Sequence, residues 1–400
     1  MHSLTDDKTT AAQTDFKPQL VLTFLASLAT AVMWCGLGFV AKHGYGFPEW
    51  LTFLLFAASG VVYCLGALLA HRTLEKLKGR VSPRSVLAIA LVVQGIISPL
   101  IGIIDAPWVL WFVSFGVSVC SAFVWPIVES YMSSGRTGAR MRSRIGWWNI
   151  CWMSGTAIGL VGMTPFLQAD SARWAIVLLG PASIIAAAML FWYRAEPMVL
   201  DDVREEKNVI GPNYRPMLSS CRVMMPLSYI LIGAVGPIMP YRLSDLGVSL
   251  FWETPLTSIW LFARVMAVAL MWRMSTWHGR WGSLAIGGAS LAVGFVLITV
   301  GPSTSAVVLG LALLGIGQGI TYYSAIYYAL ALGDGDVESA GKHEALIGAG
   351  YGFGPMIALC GLALGGGVAI GWSVIAVTGM ASWPAIRPWR TSKKRSTQSR

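Results

Sequence analysis

Apolar stretches of 18 to 27 residues alternate with short polar connections along nearly the whole 400-residue chain, and there are twelve of them. A hydrocarbon core of roughly 30 Å is crossed by about 20 helical residues, so each stretch predicts a membrane-spanning helix. Six are expected at 20–41, 50–70, 85–104, 108–131, 145–167 and 174–192. Six more are expected at 224–241, 251–273, 283–301, 306–332, 345–364 and 368–386. The one long polar segment, 194–223, separates the two sets and reads as a linker. The pattern therefore predicts a short tail (1–19), a six-helix bundle (20–193), the linker, a second six-helix bundle (224–386) and a basic tail (387–400).

Composition agrees with an all-α membrane protein. Hydrophobic residues make up 55% of the chain and charged residues only 12%, against about a quarter in a soluble domain. The charges are also sorted. Of the 29 Lys and Arg residues, 25 fall in segments on the side of the N-terminus, while Lys42, Arg173 and Arg242 fall on the other side. Cytoplasmic loops hold the excess of basic residues, so both termini are expected in the cytoplasm, with the chain multi-pass in the inner (cytoplasmic) membrane. The net charge of +10 is accounted for by topology and anionic lipid, and nucleic acid is not an expected partner. The polar N-terminal stretch lacks the basic-then-apolar order of a cleavable signal, which leaves the first helix to direct insertion. Six cysteines without CxxC spacing suggest neither a disulfide framework nor a metal site, and no cofactor is expected.

Local motifs repeat between the two sets of helices. The stretch that runs from Gly66 near the end of the second helix into the following connection carries Lys78, Gly79 and Arg80; the connection after the eighth carries His278, Gly279 and Arg280. Such an echo is what internal duplication predicts. At the end of the fourth helix, Glu129 and Arg136 stand seven apart. Six plus six helices, a charged linker and these loops resemble the major facilitator superfamily of secondary transporters, and the Glu129/Arg136 spacing is similar to that of its sugar-facilitator branch. The resemblance implies two pseudo-symmetric bundles, a cavity lined by helices 1, 4, 7 and 10, and a cytoplasmic latch or coupling role for Glu129 and Arg136.

Polar stripes with helical spacing lie where that cavity would be. Helix 1 carries Thr23, Ser27, Thr30 and Trp34; helix 4 carries Ser114, Ser118, Ser121 and Trp125. Helix 10 adds Gln318 and Tyr322. Asn149 stands three residues before Trp152 in a Gly-rich helix 5 that also carries the Gly155-x-x-x-Gly159 spacing. Arg264 lies alone in the apolar stretch 254–271. A charge at that depth costs roughly 3 kcal/mol or more. Because its planar fork suits carboxylates and phosphates, Arg264 points to recognition of an anion or to a structural ion pair. The candidate substrate contacts are Arg264, Trp34, Trp125, Ser121, Gln318, Tyr322, Thr30 and Asn149.

Energy coupling is less determined. Apart from Glu129, the acidic residues are expected at the outer face or in cytoplasmic segments, and all five histidines in loops or termini. A proton or a counter-substrate could couple, and a uniporter needs neither. No phosphate-binding G-x-x-x-x-G-K-[ST] loop is present, and no set of intramembrane nucleophiles or acid–base pairs supports an enzyme. The expected function is a secondary active or facilitative transporter, monomeric, moving a small organic solute by alternating access, an anionic one where Arg264 contacts it. The alternative is a transporter-like sensor or scaffold.

Overall fold

The structure is a computed structural model, which describes residues 15–133, 138–168, 171–197, 211, 213–332 and 337–389. The apolar stretches are helices, as they must be where no water can satisfy a backbone group. In chain order these are α1 (Phe16–Gly44), α2 (Glu49–Leu77), α3 (Pro83–Ile103), α4 (Pro107–Ser133), α5 (Gly138–Val161) and α6 (Trp174–Trp192). After the linker come α7 (Tyr214–Asp245), α8 (Leu250–Arg273), α9 (Trp281–Val300), α10 (Thr304–Ala331) and α11 (Val337–Ala381). Eleven helices among the described residues are long and apolar enough to cross a membrane.

The eleventh contains two of the expected stretches. Its helical geometry breaks at Gly365 and Gly366, where Gly366 takes a φ of 75°, a conformation that glycine adopts without steric cost. The chain reverses there, bringing Gly361 against Ala369 and Ile370. The first limb starts earlier than the sequence suggested, at Val337 and not near residue 345. That shift places a charged segment inside a helix, with consequences for the site.

α8 shows how the pattern within a helix orients it. Thr257, Leu261, Arg264 and Val268 recur at helical spacing and are buried, whereas Phe262, Met266 and Leu270 on the opposite side are about half exposed. The apolar face is turned to lipid and the face with Arg264 is turned inward. Close approach between helices is made by small residues, as expected where lipid and side chain are equally apolar. The Gly155-x-x-x-Gly159 pair seats α5 on Phe24, Ser27, Leu28 and Ala31 of α1. Gly60 of α2 meets Tyr351 and Gly352 of α11, and Gly348 meets Tyr63 and Cys64 in return.

Candidate functional site

α1 departs from regular winding at Ala31–Gly36 and Val40–Gly44, where it widens into π-helical turns. Such turns displace side chains from the regular helical phase and occur often at functional positions. The first of them carries Trp34, whose ring meets Tyr63 edge-on at 5.3 Å and Tyr351 at 4.7 Å. These rings form one wall of a cavity of about 50 Å³, enough for a few waters at most. Thr30, Trp125, Glu129, Trp148, Trp152, Tyr229, Tyr322, Glu344 and Ile347 complete the lining. The cavity thus collects side chains from α1, α2, α4, α5, α7, α10 and α11.

Arg264 lies behind two of these rings. Its guanidinium carbon is 4.4 Å from the centre of Trp152 and 4.7 Å from that of Tyr322, and Nη2 donates to the Tyr229 hydroxyl at 3.2 Å. Only 2% of the residue is exposed. Each desolvated cation–π contact contributes about 2 kcal/mol, so two of them offset an insertion cost of about 3 kcal/mol. They do not neutralise the charge. Among the described residues Arg264 forms no ion pair, and its Nε has no hydrogen-bond partner. Neither Glu129 nor Glu253 pairs with it: Glu253 is held by His43 at 2.7 Å, and Glu129 lines the same cavity as Glu344.

Glu344 is the functional candidate that the sequence reading missed. The sequence pattern puts it with its neighbours in a cytoplasmic segment and His343 in a loop; the early start of α11 places both in a helix. Glu344 is 6% exposed and faces the cavity, and the hydroxyl of Tyr63 donates to its Oε2. The ring of His343 lies 6.0 Å from Tyr322. The sequence signal was the stretch Lys342-His343-Glu344 running directly into an apolar run, which reads equally well as a helix entrance.

The other expected residues divide into two groups. Thr30, Trp34, Trp125, Tyr322 and Glu129 all line the cavity. Ser121, Gln318 and Asn149 are buried away from it. Asn149 donates to the Ile145 carbonyl and accepts from Trp152 Nε1 at 3.0 Å, so it positions one of the rings over Arg264. Gln318, one turn before Tyr322, has both amide atoms buried without partners among the described residues. On the helix 1 stripe, Ser27 satisfies its hydroxyl on the Thr23 carbonyl of its own helix. Arg136 lies outside the described residues.

Towards the end of the bundle that bears Lys42 and Asp245, bonds join α1, α2 and the short helix Thr164–Gln168 on one side to α7 and α8 on the other. Lys42 Nζ donates to the Pro240 carbonyl at 2.7 Å, and Thr52 meets Tyr241 at 2.7 Å. His43 meets Glu253, and Thr164 meets Thr254 at 2.9 Å. A larger space of about 640 Å³ lies among α7, α9 and the second limb of α11. Ser220, Ser228, Thr378 and Ser382 on its walls all donate to backbone carbonyls, while Trp281, also in the lining, has its Nε1 buried without a partner among the described residues.

The sequence model of the Major Facilitator Superfamily matches residues 19–341, and the chain belongs to that family. The fold is similar to that of the human organic anion transporter MFSD10 (TETRAN), at 14% identity and a TM-score of 0.64 over 92% of this chain and 98% of that one. It is also similar to the nucleoside transporter NupG, at 12% identity and a TM-score of 0.64 over 95% and 99%. A bacterial homologue of the human lysosomal transporter Spinster, inward-facing and occupied, gives 14% identity and a TM-score of 0.63 over 93% and 96%. No curated protein sequence matches. Family and fold together define a multi-pass membrane transporter.

Proposed function

We propose that the protein moves a small organic anion across the cytoplasmic membrane by alternating access, and that Arg264 supplies the counter-charge for the substrate. One observation carries this reading: a guanidinium buried at membrane depth, with no carboxylate partner among the described residues and an unpartnered Nε. A buried charge without a partner is strongly destabilising, so a site that keeps one is organised around a charge that arrives from elsewhere. The rings of Trp34, Trp152, Tyr229, Tyr322 and Tyr351 suit a planar or aromatic body. The cavity as it stands is too small for such a solute, and entry requires the helices to part. Parting is expected between two six-helix bundles, 20–193 and 224–386, with the two limbs of α11 as the eleventh and twelfth crossings.

Uptake of labelled monovalent anions, benzenesulfonate first, into proteoliposomes holding the purified protein tests the reading. A saturable flux well above that of protein-free vesicles is expected. Flux of neutral solutes alone would contradict it. The orientation has its own test. Reporters fused after Arg80 or at 200–207 are expected to report cytoplasm, and those near Asp105 or Asp245 the outside. Finding Asp105 and the linker on one side would exclude the twelve-crossing arrangement. The protein is expected to act as a monomer, since the cavity is built within one chain.

A further inference from the structure

The space of about 640 Å³ among α7, α9 and the second limb of α11 shares no lining residue with the central cavity. Its walls are drawn from 220–231, 281–292 and 375–389, and most of them are apolar. Ser220 and Leu231 stand eleven residues apart, as do Trp281 and Ala292. At about 1.5 Å per residue, the slot therefore runs about 16 Å along the helices. That is about half of a hydrocarbon core of roughly 30 Å, the depth of one leaflet. Ile386 and Trp389 in the lining are exposed, and so are the apolar residues beside it, Ile286, Val293, Met380 and Trp383. The slot thus opens onto a surface of the kind that faces lipid.

One end of the slot has a different character. It lies where α7 and α9 begin, at the end of the bundle opposite Lys42 and Asp245. Arg215, Arg222, Arg273, Arg280 and Arg387 are exposed at this end, and the stretches 211–224, 272–286 and 376–389 contain no acidic residue. In the mouth itself, Trp281 keeps its Nε1 buried without a partner among the described residues. A buried donor left unpaired is costly, so the indole is placed for an acceptor that comes from outside the chain. No side chain caps the first turn of α9, which starts at Trp281, and an uncapped helix start favours a phosphate. A Cβ added at Gly282 or Gly379, both in the lining, would meet nothing within 4 Å, so the space beside them is open.

We propose that the slot holds an acyl chain of one anionic phospholipid, whose phosphate lies at the start of α9 against Trp281 Nε1 and Arg280. The two ends of the slot answer the two ends of that molecule. A soluble phosphate ester would leave the apolar length unfilled, and a zwitterionic lipid would bring no net charge to the basic mouth. In the orientation proposed above, the mouth meets the cytoplasmic leaflet, whose surface is negative. The lipid packs on the back of α7: Ser228 and Leu231 border the slot, while Tyr229 between them bonds Arg264 on the cavity side. A resident lipid therefore stabilises the helix that carries Tyr229, whatever the central cavity transports.

Native mass spectrometry of the delipidated full-length protein, titrated with dioleoyl phosphatidylglycerol or dioleoyl phosphatidylcholine, tests the proposal. Each arginine near the headgroup favours the anionic lipid about fivefold, so one retained phosphatidylglycerol, preferred about tenfold or more, is expected. Arg280→Gln/Arg387→Gln should reduce that preference about fivefold or more. Trp281→Phe should weaken both lipids alike, since both carry the phosphate. Gly379→Leu puts its side chain into the open space of the slot. It should lose the retained lipid, together with the rise in melting temperature that phosphatidylglycerol gives the unaltered protein. Phosphatidylglycerol with a diazirine in its acyl chain, photolysed on the unaltered protein, should label 220–231, 281–292 and 375–389. Labelling confined to other helices, or unchanged retention by Gly379→Leu, places the lipid elsewhere and overturns the proposal. Equal retention of the two lipids overturns it too, as does displacement of the lipid by glycerol phosphate. A lipid-free dimer would put a second copy of the chain over the slot and also overturns it.

Discussion

Replacing Arg264 by alanine is expected to lower anion transport about a hundredfold, with the protein still inserted in the membrane at its usual level. Charge-assisted hydrogen bonds from a buried guanidinium contribute about 3 kcal/mol to holding an anion, which corresponds to about that factor. Insertion should survive because removing the charge also removes an insertion cost of similar size. Trp152 and Tyr322 would lose the cation between them but keep their other ring contacts, at 6.1 Å to Trp125 and 5.9 Å to each other. Arg264→Lys should retain part of the activity, since the charge remains and the planar fork between the rings is lost. Uptake normalised to protein in the membrane measures both. Normal transport by Arg264→Ala would make the residue a structural charge.

The second large effect is expected far from any charge, at the seam between α2 and α11. A Cβ at Gly60 would lie 2.5 Å from the Tyr351 carbonyl carbon, and one at Gly348 would lie 2.8 Å from the Cys64 nitrogen. Neither neighbour is the end of a flexible side chain, so a bulky residue must push the helices apart. Overpacking of this kind costs about 1 to 3 kcal/mol. It would act directly on the cavity, because Tyr63 and Tyr351 belong to the same two helices and both line it. Gly60→Val is therefore expected to cut transport at least tenfold and to lower the melting temperature, with Gly60→Ala intermediate. Transport by Gly60→Val at the original rate would show that the seam does not close during the cycle.

The helices were legible because a bilayer admits few alternatives: a long apolar run has to be a helix, and only its ends are in doubt. Those ends are where the reading failed. Placing the start of the eleventh helix near residue 345 leaves His343 and Glu344 in a loop, away from the cavity that Glu344 lines. Arg264 was legible for the opposite reason, since one charge in an apolar run is visible at any register. Thr30, Trp34 and Trp125, picked by helical phase on helices that the family resemblance sets around a cavity, line the one seen here. The same phase also selected Ser121, which is buried away from the cavity, because spacing along one helix cannot say which neighbour covers which turn. Tyr229 carried a weak signal, as one of the few polar residues that helix 7 offers, and Tyr63 and Tyr351 carried none. In the sequence they are aromatic members of apolar runs, and only the packing of α2, α7 and α11 brings them to one point.

The claim that Arg264 exists to meet a negative charge on the substrate is tested most directly by varying both charges together. Benzenesulfonate and the neutral benzenesulfonamide have nearly the same shape, and their binding to purified protein can be followed by the fluorescence of the cavity tryptophans, among them Trp34 and Trp125. The original protein is expected to prefer the anion by at least tenfold, and the Arg264→Ala protein to show no preference. An equal preference for the anion in both proteins would place the substrate charge elsewhere and contradict the role assigned to Arg264.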